Sequence, residues 1–187
     1  MFIQVEQTPN PATLKFIPGK PVMQNGTAEF RSIEEAGRSP LAKRLFDTGH
    51  VDGVFYGSDF ISVTKTEDKE WLLLKPRILG AIMEHFTGGA PLFAGETDMD
   101  TDSEISGEPD DELTRQIKEL LDTRVRPAVA MDGGDIAFER FDKGILYLRM
   151  HGACSGCPSS TITLKNGIES MMRHFVPEVL EVRAVEG

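Results

Sequence analysis

Cysteine is nearly missing from this chain, whose 187 residues hold only two, Cys154 and Cys157. Two thiols at CxxC spacing cannot build the disulfide framework of a small secreted domain, and reducing compartments keep such thiols free. Long hydrophobic runs are missing as well; none reaches the length of a membrane span, so no membrane partner is expected. The opening stretch MFIQVEQTPNPATLKF lacks both a basic region followed by an apolar core and an arginine-rich amphipathic presequence. A cytoplasmic protein is the expectation. Positive charge is also scarce, with a net charge of −10 and no basic excess in any part of the chain, which argues against nucleic acid as a partner.

What is present is the composition of an ordinary globular protein, 40% apolar and 27% charged. Residues 1–94 carry 10 basic and 11 acidic side chains, 95–109 carry none and 6, and 110–187 carry 10 and 13, so the acidity is concentrated between two nearly balanced regions. The segment GETDMDTDSEISGEP, Gly95 to Pro109, has Ile105 as its one large aliphatic residue and no aromatic, too little to bury for folding alone. It reads as an extended linker whose like charges repel. The expectation is an α+β protein of two small α/β-sandwich-like domains, residues 1–90 and 110–187, joined by an acidic flexible linker over 91–109.

In the first domain FIQVEQ and ATLKFI read as strands across the turn Thr8-Pro9-Asn10-Pro11, and VDGVFYGSDFISVTK reads as a second hairpin. Ser39 and Pro40 open a short helix through Asp47. A longer helix is expected after Pro76, with Ile78, Leu79, Ile82, Met83 and Phe86 on one stripe and Gly88-Gly89 as its end. His50 and His85 lie far apart in sequence and are expected to be surface or packing residues. In the second domain Asp110-Asp111-Glu112 suits a helix start, Leu113, Ile117, Leu120, Leu121 and Val125 form its stripe, and Pro127 is expected to stop it. MDGGD then turns into a strand, Ile136 to Phe141, followed by Ile145 to Met150. MDGGD is not read as a phosphate loop, because no lysine or following helix completes that motif. Thr161, Leu164, Ile168, Met171 and Phe175 return at helical spacing, and VLEVRAV alternates as a last strand.

Both cysteines therefore lie in a loop joining a strand to a helix. Pro158, Ser159 and Ser160 place Cys157 at the helix start, where unpaired backbone N–H groups favour thiolate, the form that binds metal or attacks a disulfide. Three readings follow. The first is thioredoxin-like dithiol exchange, against which stands the position of the motif after an antiparallel hairpin near the carboxyl end. The second is metal binding: zinc sites and iron–sulfur clusters generally take four ligands, so two copies of the chain would be needed to supply them, in a cluster or a zinc bridge. The third is two small buried apolar residues, against which Gly152 and Gly156 argue. His151, three residues before Cys154, is read as a strand-end residue rather than a ligand.

GACSGCPSSTITLKNGIE together with MDGGD resembles the carboxyl-terminal domain of NifU and the Nfu iron–sulfur proteins. TPNPATLKF, SPLAKRLF and GVFYGSDFISVTK resemble the Nfu amino-terminal domain, so the likeness covers nearly the whole chain outside the linker. The resemblance implies a scaffold or carrier, not an enzyme, that holds a labile [4Fe-4S] cluster bridging two subunits and passes it to apo iron–sulfur enzymes after receiving it from upstream cluster assembly proteins. Cys154 and Cys157 carry over as the cluster ligands. NifU's other cluster domains need further cysteines, and this chain has none. The resemblance leaves two locations, a bacterial cytoplasm or, for a processed organellar form, the mitochondrial matrix.

Overall fold

The computed structural model of the chain describes residues 1–94, 111–154 and 158–185, the side chains at 158–161 excepted. The chain divides into two compact units, Met1–Ser103 and Glu104–Gly187. The fold is α+β in both.

The first unit is built on strands rich in β-branched and aromatic residues, which suit a pleated, half-buried surface. β1 (Gln4–Gln7) and β2 (Thr13–Ile17) form one hairpin, β4 (Val51–Tyr56) and β5 (Ile61–Lys65) another, and β3 (Ala28–Phe30) adds an edge. The five strands run in the order β1-β2-β5-β4-β3, every pairing antiparallel. The β1–β2 turn closes on its own polar groups: the Ala12 amide donates to Asn10 Oδ1 at 3.0 Å and the Thr13 amide to the Asn10 carbonyl at 3.0 Å. Two short helices, α1 (Ile33–Ala36) and α2 (Pro40–Phe46), precede β4, and α3 (Trp71–Gly88) follows β5. Phe16, Phe30, Leu41, Leu45, Tyr56, Ile61, Ile78 and Ile82 are fully buried and form one core.

Ser39 links three pieces of that unit. Its Oγ accepts the Ala42 amide as the cap of α2 and donates to the Leu92 carbonyl at 2.7 Å, so the Tyr56 hydroxyl, 2.9 Å away, is the donor of that pair. Burial pushes the Tyr56 phenol well above its ordinary value.

α3 departs from expectation at its start. It begins at Trp71, with Pro76 inside it. The indole Nε1 of Trp71 donates to the Pro11 carbonyl at 3.0 Å and Leu74 is buried, so tertiary contacts hold the first turn. Proline removes the bond to the Leu72 carbonyl, but Leu72 is exposed and water can satisfy it.

The second unit runs α4 (Glu112–Leu120), a π turn (Leu121–Val125), α5 (Arg126–Met131), β6 (Gly134–Asp142), β7 (Ile145–Gly152), α6 (Pro158–Phe175) and β8 (Glu181–Val185). Asp111 caps α4, its Oδ1 accepting the Thr114 amide at 2.9 Å, and that backbone hydrogen bond holds the carboxyl below its usual range. The stop expected at Pro127 does not occur. The chain widens into the π turn, with the Arg126 amide bonding back to the Leu121 carbonyl, and this makes room for the proline ring at the start of α5.

β7 alternates in burial along its length, as a strand with one face on a core must. Its buried residues Leu146, Leu148 and Met150 meet Ile117, Leu121, Val125 and Val129 from the first helical run, Ile168 and Met172 from α6, and Val176 just after it. The stripe expected on α6 is therefore rotated. Phe175 is 40% exposed, with the Arg124 guanidinium 5.0 Å from its ring centroid, and the line at steps of four through 168, 172 and 176 takes the core. β6 and β7 pair antiparallel, whereas β8 pairs with β7 in parallel.

Candidate metal centre

The β6–β7 hairpin defines where Cys154 stands. In β6 and β7 Gly134 is paired with Gly152 and Asp135 with His151, so both strands end together beside the CxxC loop. Gly133 (φ 78°) and Gly152 (φ 64°) adopt the left-handed conformation that favours glycine, one entering β6 and one leaving β7. The Ala153 amide donates to the Gly133 carbonyl at 3.2 Å, which ties the first residue of the loop to the turn of MDGGD.

Cys154 follows that bond. It is buried, 6% exposed, among the core residues of the second unit. Cys157 lies outside the described residues, so the structure does not place the second thiol; α6 begins at Pro158, the next residue. His151 is half-buried at the end of β7, as expected for a strand-end residue. Among the described residues, no group of three or more His, Cys, Asp or Glu side chains gathers to hold a metal ion. His50 and His85 belong to the first unit, where His85 is buried on the core face of α3.

Next to the loop, Arg126 of α5 grips Asp135 of β6 with both prongs, Nε to Oδ1 at 3.0 Å and Nη2 to Oδ2 at 2.9 Å, while Nη1 reaches Asp122 at 3.1 Å. Asp135 is buried, and the fork satisfies both its oxygens. The hydrogen bond to Asp135, above all, raises the Arg126 guanidinium further above its ordinary value. The pair fastens α5 to the first residues of β6, one position from Gly134.

The sequence shows MDGGD as a turn and as part of the family likeness, and assigns Gly134, Asp135 and Arg126 no role of their own. Its paired glycines were visible; the contacts they permit across the sheet were not. The CxxC loop was set apart from dithiol oxidoreductases because it follows an antiparallel hairpin, yet β7, α6 and the parallel β8 form a strand–helix–strand crossover, with the loop at its strand-to-helix junction.

The class is thus a two-unit α+β chain with a CxxC loop leading into a helix. Residues 3–89 match the family described as scaffold protein Nfu/NifU, amino-terminal, and residues 117–183 match the NifU-like domain. The human "NFU1 iron-sulfur cluster scaffold homolog, mitochondrial" is 51% identical over 186 residues, 99% of this chain and 72% of the human protein. The Arabidopsis thaliana "NifU-like protein 4, mitochondrial" is 51% identical over 181 residues, 96% of this chain and 64% of that one. A solution structure of a NifU-like protein from Saccharomyces cerevisiae shares 22% identity, covering 51% of this chain and 87% of the yeast chain at a TM-score of 0.47. The chain belongs to the Nfu/NifU family of iron–sulfur cluster scaffold proteins.

Proposed function

We propose that this chain is an iron–sulfur cluster carrier rather than an enzyme, holding a labile [4Fe-4S] cluster between two copies of itself and delivering it to apo-proteins. The observation that carries the reading is that the only two thiols of the chain, Cys154 and Cys157, share one loop of a domain matched to NifU. A four-iron cluster takes four thiolates, and two chains supply them. Met131 at the end of α5 and Ile162 near the start of α6 are exposed apolar side chains on the elements adjoining the loop, which suits a surface that a second copy covers.

Delivery proceeds by ligand exchange. Each acceptor thiol gives up its proton and bonds iron as a thiolate, the corresponding bond to Cys154 or Cys157 breaks, and the released sulfur takes up a proton. No electron changes hands. Upstream assembly proteins fill the site; residues 1–90 recognise acceptors, and 91–109 tether the two working domains. The compartment is the mitochondrial matrix if the chain is an organellar form, as the relatives' names suggest, and otherwise the bacterial cytoplasm.

The strand–helix–strand setting of the loop favours one alternative, dithiol exchange through a Cys154–Cys157 disulfide. Anaerobic reconstitution with iron and sulfide separates the two. A carrier yields a brown dimer with about two irons and two sulfides per subunit, lost in Cys157→Ala and reverting to monomer when iron is chelated. A colourless monomer with a reversible disulfide overturns the carrier reading in favour of redox chemistry, and a colourless zinc-bridged dimer overturns both.

A further inference from the structure

Gly134 stands where no side chain fits. A β-carbon there would lie 2.6 Å from Cys154 Sγ, 2.8 Å from the His151 carbonyl oxygen and 3.1 Å from the Cys154 amide nitrogen. Real β-carbons do not approach other atoms within 3.0 Å, and two of these three neighbours are backbone, which cannot turn aside as the end of a long side chain can. The sulfur of Cys154 occupies the volume that residue 134 leaves empty. Around it, the Ala153–Gly133 hydrogen bond and the Gly134–Gly152 pairing hold the loop against the start of β6.

We infer that Gly134 is a positioning residue of the cluster site, its missing side chain forming the seat that holds the sulfur and backbone of Cys154 in register. The inference rests on the proposed role of Cys154 as a cluster ligand. The seated sulfur is sheltered. Cys154 is 6% exposed, so a reagent reaches it chiefly when Cys154 leaves the seat. A methyl group at residue 134 overpacks the seated state and leaves the open one untouched, which shifts Cys154 outward.

Alkylation of the iron-free protein by iodoacetamide reads this shift directly. In a Cys157→Ser background, where Cys154 is the sole thiol, Gly134→Ala raises the rate about tenfold. Gly167→Ala is the control, since Gly167 lies exposed on α6 with nothing within 4 Å of a β-carbon, and it leaves the rate unchanged. In the chain with both cysteines, Gly134→Ala shortens the lifetime of the reconstituted cluster against a chelator by about the same factor. Should Gly134→Ala fold poorly, the same substitution on Cys154→Ala decides the matter. If the sulfur fills the seat, its removal makes room, and the loss of thermal midpoint caused by Gly134→Ala is smaller there. Equal losses in both backgrounds overturn the inference. So does an unchanged alkylation rate beside a normal wild-type cluster, which leaves the carrier reading standing. A wild-type chain that takes up no cluster sinks the carrier reading instead, while the alkylation rates still decide whether Gly134 seats the sulfur.

Discussion

His85 is a buried titratable side chain on the core face of α3, beside Leu74, Ile78 and Ile82. Burial, and secondarily the nearby charge of Arg44, lowers its pKa from the ordinary 6.5. The folded chain thus binds this proton less readily than the unfolded one. Stability from the neutral imidazole is complete above the unfolded value and is lost as pH falls below it towards the depressed folded value. The thermal midpoint of the first unit should therefore be lower at about pH 5.5 than at about pH 7.5, and His85→Gln should flatten that difference. Calorimetry of both proteins at the two pH values checks it; an identical pH dependence in the variant would remove His85 as the cause. That His85 is a surface or packing residue was the expectation from its isolation in sequence, and it packs. Its depth of burial was not, because Met83 and Phe86 compete for the same stripe and only packing against α2 and the sheet chooses among them.

Among the elements, prolines mark the limit of local rules. Pro76 and Pro127 both read as helix boundaries, and the chain runs helically through each, by pinning the first turn of α3 with Trp71 and by inserting a π turn before α5. The second solution also orients Arg126 towards β6. Asp135→Asn should therefore loosen α5 from the sheet. Breaking a buried ion pair commonly costs ~3–5 kcal/mol, but Arg126 is 38% exposed and can rehydrate, so about 2 kcal/mol is expected for the second unit by denaturant titration. A change below about 0.5 kcal/mol, the range of ordinary surface substitutions, would show that the fork is incidental. Helices α2, α4 and α6 and the strand hairpins were readable from caps and periodicity, since those signals act within a few residues. The edge strand β3 and helix α1 are too short for periodicity to show.

For the molecule as a whole, two units each bury a core of their own, so removing residues 1–94 should leave the second unit folded. If the division of labour proposed above holds, the truncated chain assembles a cluster at wild-type stoichiometry and delivers it to some acceptors more slowly, measured by the recovery of acceptor activity; equal loss of assembly and delivery rejects that division. The sequence by itself determined that one chain offers two thiols, that both lie between a strand and a helix, and that an acidic stretch parts two balanced regions, because these are matters of composition and of order along the chain. Tertiary structure alone decided that β8 runs parallel to β7, that Arg126 clasps Asp135, and that the sulfur of Cys154 lies in the space beside Gly134. Residues 134 and 154 meet only after β6 has paired with β7 and α6 has packed on the sheet, and no local preference encodes a contact made by folding distant segments together.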